Sequence, residues 1–236
     1  MSQLAQPVRL FDSFGLAPRM VRFFLLEKAV DIPRYEIDLL LGENRDEEFL
    51  KLNPSGQTPA LELDDGTILA EAPAICEYIE EACPEPTLIG ATPLQRAVNR
   101  MWWRRVELNI CQPMIMGFYF GEGLELFRTR MRCIPEAADG MKDRARDGMR
   151  WLDGLLGDQW IAGPRFSIAD ICLYGYLDEL ADKGQPIPSE CSRLRQWFEA
   201  VSERPPPTKA SGDWQGPPES GSSRPFEGPH LFARTA

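Results

Sequence analysis

The stretch Asn53 to Ala72, NPSGQTPALELDDGTILAEA, holds the residues whose types and spacing best suit binding chemistry. Thr58-Pro59 opens a short apolar strand, Ala60 to Leu63, at one of the few sheet positions that tolerate proline. A cis bond there would turn the Thr58 backbone outward, free to pair with an extended peptide; a trans bond would make the stretch an ordinary surface hairpin. Asp65-Gly66 between two apolar runs signals a hairpin, with Thr67 to Ala70 as its second strand. Glu71-Ala72-Pro73 then opens a helix, with Pro73 where the missing N–H costs nothing. Ser13 is the only hydroxyl between Phe11 and Pro18. It is either a donor to a ligand or a turn residue bonded to local backbone. The cysteines Cys76, Cys83, Cys111, Cys133, Cys172 and Cys191 form no C-x-x-C pair, and the only histidine is His230. This argues against zinc sites, any other metal site and Cys-His nucleophiles. Free thiols are the expectation, because no basic and apolar leader precedes Val8.

These residues need elements to position them. Val8 to Phe11 reads as a strand and Pro18 to Lys28 as a helix with a broad apolar face. Tyr35 to Leu39 reads as a second strand, Arg45 to Leu52 as a short charged helix and Pro73 to Ala82 as a third helix. That is a small α/β unit. Cys83 to Thr87, CPEPT, reads as a linker. Beyond it strands vanish. Helices are expected over Pro93 to Gly117, kinked late by Pro113, and over Ile134 to Leu156, Ile168 to Leu180 and Leu194 to Glu203. Ser167 and Asp170 form a capping-box pattern at the start of the Ile168 helix. From Pro205 the chain turns rich in Pro, Gly and Ser and is expected to lack regular structure. The domains expected are 7–83 and 92–204, followed by the tail 205–236. Two such domains suit 236 residues. A net charge of −10 argues against a nucleic-acid partner. No apolar run is long enough to span a membrane. A soluble, cytoplasmic protein fits these features.

Four segments, in this order, resemble the cytosolic glutathione transferases of bacterial type: Val8 to Lys28, Asn53 to Leu61, Glu71 to Glu81 and Ser167 to Leu177. The likeness runs to about Arg204. It implies a thioredoxin-like N-terminal domain, an all-helical C-terminal domain, a homodimer and a cis bond at Thr58-Pro59. It also implies glutathione as co-substrate, bound by Gln57, Thr58, Pro59, Glu71 and Ala72, with Glu71 meeting the glutamyl ammonium. The family usually places Ser or Thr where this chain has Ala72. The family's serine or cysteine position falls at Gly15, its tyrosine position at Phe11 and the asparagine of some bacterial relatives at Ala17. None supplies a side-chain donor. The remaining stabilisers of a thiolate are the main-chain amides of Leu16 and Ala17, aimed by the first helix, with Ser13 the sole hydroxyl candidate. Phe14, Trp103, Met114, Phe118 and Tyr119 are candidates for the second-substrate pocket, although residues at helical spacing also build cores. Arg104 and Arg105 form a solvated face, reach the cleft or meet a partner subunit.

The resemblance implies an enzyme that conjugates glutathione to small apolar electrophiles, or runs a related peroxide or disulfide reduction. The missing donors at Gly15, Ala17 and Ala72 motivate a second reading, a binding module on the same fold with weak or lost catalysis. Reduction through a protein cysteine fares worst, since the first loop has none.

Overall fold

The computed structural model describes residues 4–157 and 160–204. The tail expected over 205–236, with His230, lies outside the described residues. The N-terminal part runs β1 (Pro7–Asp12), α1 (Leu16–Glu27), β2 (Arg34–Glu36), a 3-10 turn (Glu43–Arg45), α2 (Glu47–Leu52), β3 (Ala60–Leu63), β4 (Ile68–Ala70) and α3 (Ala72–Ala82). The strands form one sheet in the order β2-β1-β3-β4, with β2 parallel to β1 and the β3 pairings antiparallel. Crossing from β1 through α1 to a parallel β2, and closing with a β3–β4 hairpin, gives the thioredoxin-like arrangement that the motifs imply.

Alternation along the strands sorts side chains to the two faces of this sheet. Leu10, Leu61 and Leu63 face α1 and α3 and join Val21, Phe24, Ile75 and Ile79. Phe11 and Ala60 face the other way, against Ile37 and Phe49. The hairpin turn is built as its sequence requires. Gly66 takes φ +84°, and the Thr67 N–H donates to the Asp65 carboxylate at 2.9 Å.

The rest is helical: α4 (Pro93–Val106), a π-helical turn (Glu107–Cys111), α5 (Gln112–Phe120), α6 (Leu124–Phe127), a 3-10 turn (Pro135–Ala137), α7 (Ala138–Asp153), α8 (Ile168–Ala181) and α9 (Ser192–Ser202). The kink expected at Pro113 takes the form of the π turn just before it. Proline has no N–H to return to the preceding turn, and the wider turn absorbs the mismatch. Gly148 of α7 packs against this turn so closely that a Cβ there would sit 2.3 Å from the Asn109 carbonyl oxygen. The helix expected from Ile134 starts only at Ala138, behind the 3-10 turn that Pro135 opens.

Buried α8 anchors the helical part. The Asp170 carboxylate is fully buried and accepts from the Ser167 N–H and hydroxyl, the Ile161 N–H and the Trp197 indole N–H, each at 2.8–2.9 Å. Burial pushes its pKa up to about 6, against the pull of those hydrogen bonds. The two parts share one core. Phe23 of α1 meets Phe166 and Tyr174, with ring centroids 5.9 Å apart in each pair. Lys28 and Glu80 make a buried ion pair at 2.8 Å. Burial raises the Glu80 carboxyl, and the Lys28, Ile89 and Thr87 hydrogen bonds bring it below its ordinary value. The six cysteines are free thiols.

Candidate active site

The strand register gathers the residues singled out above at one end of the sheet. Phe11 of β1 pairs with Ala60 of β3, and Ala60 pairs with Ala70 of β4. One or two residues beyond these positions lie Asp12-Ser13, Thr58-Pro59 and Glu71-Ala72. The Thr58-Pro59 bond is cis, as the resemblance implies. Among the described residues, none hydrogen-bonds to the Thr58 main chain. Its N–H and C=O are therefore available to an extended ligand.

Ser13 does not project into a cleft. It is 2% exposed, and its hydroxyl shares a 2.6 Å hydrogen bond with the Thr58 hydroxyl. The Gly15 N–H also leans on it at 3.4 Å. Ser13 thus ties the first loop to the cis-proline loop. Arg22 fixes the same loop from below, donating to Asp12 Oδ1 at 2.6 Å and to the Ser13 carbonyl at 2.7 Å. Phe11, the tyrosine position of the family, is fully buried between Tyr35 and Phe49.

Gly15 caps α1 with no side-chain hydrogen bond. The first helical bond runs from the Arg19 N–H to the Gly15 carbonyl at 3.1 Å. The Leu16 and Ala17 amides precede it and have no partner inside the helix, and Pro18 has no N–H to offer. Two amides and the positive end of the helix are thus the donors left for an anion.

The start of α3 has the same construction. Glu71 is its cap, without a side-chain bond, and Pro73 follows Ala72. The first helical bond is from the Ile75 N–H to the Glu71 carbonyl at 3.0 Å. The Ala72 and Ala74 amides are left over. Glu71 is exposed and holds φ +69°, ψ +119°, a conformation that side chains avoid. Strain at a carboxylate beside open amides points to a task for that residue.

The sequence reading missed what holds the turn before Thr58. Asn44 and Asn53 are buried; their amides donate to the Gly56 carbonyl at 2.6 Å and the Gln57 carbonyl at 2.7 Å. Gly56 takes φ +60°, where a Cβ would meet Asn44 O at 2.8 Å, so the turn admits only glycine. The one sequence signal was Asn53-Pro54 itself; Asn44 lies too far upstream to be paired with it by spacing.

The candidates for the second-substrate pocket divide. Trp103 is 5% exposed and Met114 is fully buried, both within the main core. They pack the helices together and offer no surface, the outcome that helical spacing alone favours. Phe118 is half-buried in a cluster with Tyr119 and Phe127; the Tyr119 and Phe127 centroids are 3.9 Å apart. Phe14 is half-buried in the first loop. Arg104 pairs with Glu107 at 2.7 Å, and Arg105 lies over Trp102 at 5.0 Å. Among the described residues, no group of His, Cys, Asp and Glu side chains is arranged to hold a metal ion, and no helix is long and apolar enough to cross a membrane.

Comparison with known proteins bears on this geometry. Residues 17–82 match the family described as glutathione S-transferase, N-terminal domain, and residues 135–200 its C-terminal domain. Glutathione S-transferase 2 of Saccharomyces cerevisiae is 35% identical over 212 residues, covering 86% of this chain and 89% of that protein. The crystal structure of Gtt2 from Saccharomyces cerevisiae superposes with a TM-score of 0.77 at 35% identity, covering 86% of this chain and 100% of that one. A maleylacetoacetate isomerase of Pseudomonas aeruginosa is 33% identical over 156 residues, 65% of this chain and 71% of its own. With a thioredoxin-like domain, an all-helical domain and this breadth of likeness, the chain belongs to the glutathione S-transferase family.

Proposed function

We propose that this protein is a glutathione transferase that binds glutathione along Thr58, Glu71 and the first turns of α1 and α3, and conjugates it to small apolar electrophiles. One observation carries the reading: two uncapped helix N-termini flank an unpaired main-chain edge at the cis-proline. Glutathione is a peptide with an anionic sulfur at its centre and a zwitterionic glutamyl head. Its cysteinyl main chain pairs with Thr58. Its glutamyl ammonium meets Glu71, and the neighbouring carboxylate takes the Ala72 and Ala74 amides. Its sulfur meets the Leu16 and Ala17 amides. The thiolate, not the thiol, attacks, so donors that favour the anion raise the reactive fraction. Gln57 is exposed beside this edge, and Ser13 acts by holding the two loops together rather than by touching sulfur. The names of the relatives support the same activity.

The domains are taken as 7–83 and 92–204, and the location as the cytoplasm. The partner is a second copy of the chain. Leu94, Met101 and Leu108 are 74%, 40% and 45% exposed and recur every seven residues along α4 and the π turn, which presents an apolar stripe to a neighbour.

The lack of side-chain donors at Gly15, Ala17 and Ala72 keeps a second reading in play, a glutathione-binding module of low turnover. Calorimetric titration with glutathione, paired with conjugation of 1-chloro-2,4-dinitrobenzene, tests both. Saturable binding with turnover above the uncatalysed rate is expected. Binding without turnover supports the module, and no binding at millimolar glutathione overturns both.

A further inference from the structure

The geometry points to an aromatic electrophile bearing an anionic group, a carboxylate or sulfonate, as the second-substrate class, with the Arg130 guanidinium as the group that selects it. This inference rests on the transferase reading above and revises its electrophile from a wholly apolar one to one whose apolar ring carries a charged substituent.

The aromatic cluster Phe118, Tyr119 and Phe127 is half-buried, which leaves ring surface for a flat ligand. A chain of contacts links it to the first turn of α1. Arg19 pairs with Asp178 and, at 3.5 Å, with Glu179; Glu179 pairs with Lys183; and the Lys183 ammonium lies 5.9 Å from the centre of the Phe118 ring. Arg130, whose guanidinium lies 6.0 Å from the Phe127 centroid, reaches across to the N-terminal domain and donates to the Leu39 carbonyl at 2.8 Å. Contacts thus connect the rings both to the first turn of α1 and to the loop that follows β2.

The two cations beside the rings differ. Lys183 is neutralised by Glu179. Arg130 is half-buried and bonds a neutral carbonyl; among the described residues it makes no ion pair. It sits in Arg128 to Arg132, a basic run within a chain of net charge −10. A guanidinium held by a carbonyl, set beside an aromatic ring and short of a counter-charge suits a carboxylate carried by an aromatic ring.

In the reaction, the glutathione thiol loses its proton to water and the thiolate forms a C–S bond at the activated ring carbon. The carbon–halogen bond breaks and halide leaves with the bonding pair. Arg130 takes no part in these steps and acts on kcat/KM by binding the anionic substituent.

The test compares 4-chloro-3,5-dinitrobenzoate with 1-chloro-2,4-dinitrobenzene. Each kcat/KM is divided by its own uncatalysed rate constant, and the ratio of the two is followed in the wild type, Arg130→Gln and Arg130→Lys. A wild-type ratio above one is expected. It should fall about ten- to hundredfold in Arg130→Gln, the worth of one hydrogen-bonded charge pair, and by less in Arg130→Lys, which keeps the charge without the planar fork. A wild-type ratio below one, or a ratio unmoved by Arg130→Gln, overturns the inference and leaves the transferase reading standing. Absence of turnover with both electrophiles overturns that reading and this inference together.

Discussion

Two helices of this protein, α4 and α8, begin with a capping box, and the two beside the cis-proline, α1 and α3, are among those that begin without one. At α4, the Thr92 hydroxyl accepts from the Gln95 N–H at 3.2 Å, and the Gln95 side chain accepts from the Thr92 and Ala91 amides at 3.3 and 3.0 Å. At α8, Asp170 closes the end from inside the core. At α1 and α3, the cap positions are Gly15 and Glu71, neither makes a side-chain bond, and a proline sits within the first three helical positions. The closed ends hold the helical domain together. The open ends flank the cis-proline edge, with their amides unspent. An uncapped end forgoes about 1 kcal/mol of local stability, and in return it presents a fixed positive potential to an anion. Beside the cis-proline, the uncapped starts leave main-chain donors next to an unpaired edge.

Removing the buried closure should have the largest effect. Asp170→Ala strands the donors of Ile161, Ser167 and Trp197 in the core. A loss of about 3–5 kcal/mol is expected by denaturant unfolding. A loss below about 1 kcal/mol would mean that this end is no more closed than the others.

The same carboxylate should impose a pH dependence. Its folded pKa of about 6 stands above the ordinary 3.8 of an aspartate, so the folded state holds the proton more tightly. Its contribution is full below about pH 4 and is lost as pH rises through about 6, a fall of roughly 3 kcal/mol for this group. The Trp197 indole N–H, bonded to Asp170 Oδ1, reports the titration by NMR. A midpoint near 6 is expected; one near 4 would show that the hydrogen bonds outweigh burial.

At the open end of α3, Glu71→Gly should raise stability by about 1 kcal/mol, because glycine adopts the positive φ without penalty. Glutathione affinity should fall in the same variant. A gain in stability with unchanged affinity would show that the strained carboxylate serves no ligand.

The smallest change comes from closing α1. Gly15 has φ −68°, and a Cβ there would lie 3.4 Å from Pro18 Cδ, an ordinary contact. Gly15→Ser should fold normally and gain a few tenths of a kcal/mol through capping. Measured turnover should rise or hold if the serine hydroxyl turns to the sulfur, and fall if it occupies the helix amides instead.

Much of this was legible in the chain. The strand Ala60 to Leu63 is bounded as read, because Pro59 and the Asp65-Gly66 turn leave it no freedom at either end. Glu71 and Thr58 lie at the same end of the sheet because the hairpin register pairs Ala60 with Ala70. What escaped depended on contacts between segments far apart. Asn44 and Gly56, or Ser13 and Thr58, meet only once the sheet is assembled. The short α6 has one turn and no periodicity to betray it. Trp103 and Met114 carry the same apolar chemistry as Phe118, and only packing decides which of them is left accessible. The φ of Glu71 leaves no mark on residue type.

Open helix amides, acting without a side-chain hydroxyl, are expected to lower the pKa of bound glutathione. Titrating the protein–glutathione complex by thiolate ultraviolet absorbance measures this directly. A midpoint below that of a free thiol, about 8.5, by roughly one unit or more is expected. A midpoint at the free value would contradict it and leave the protein a holder of glutathione rather than its activator.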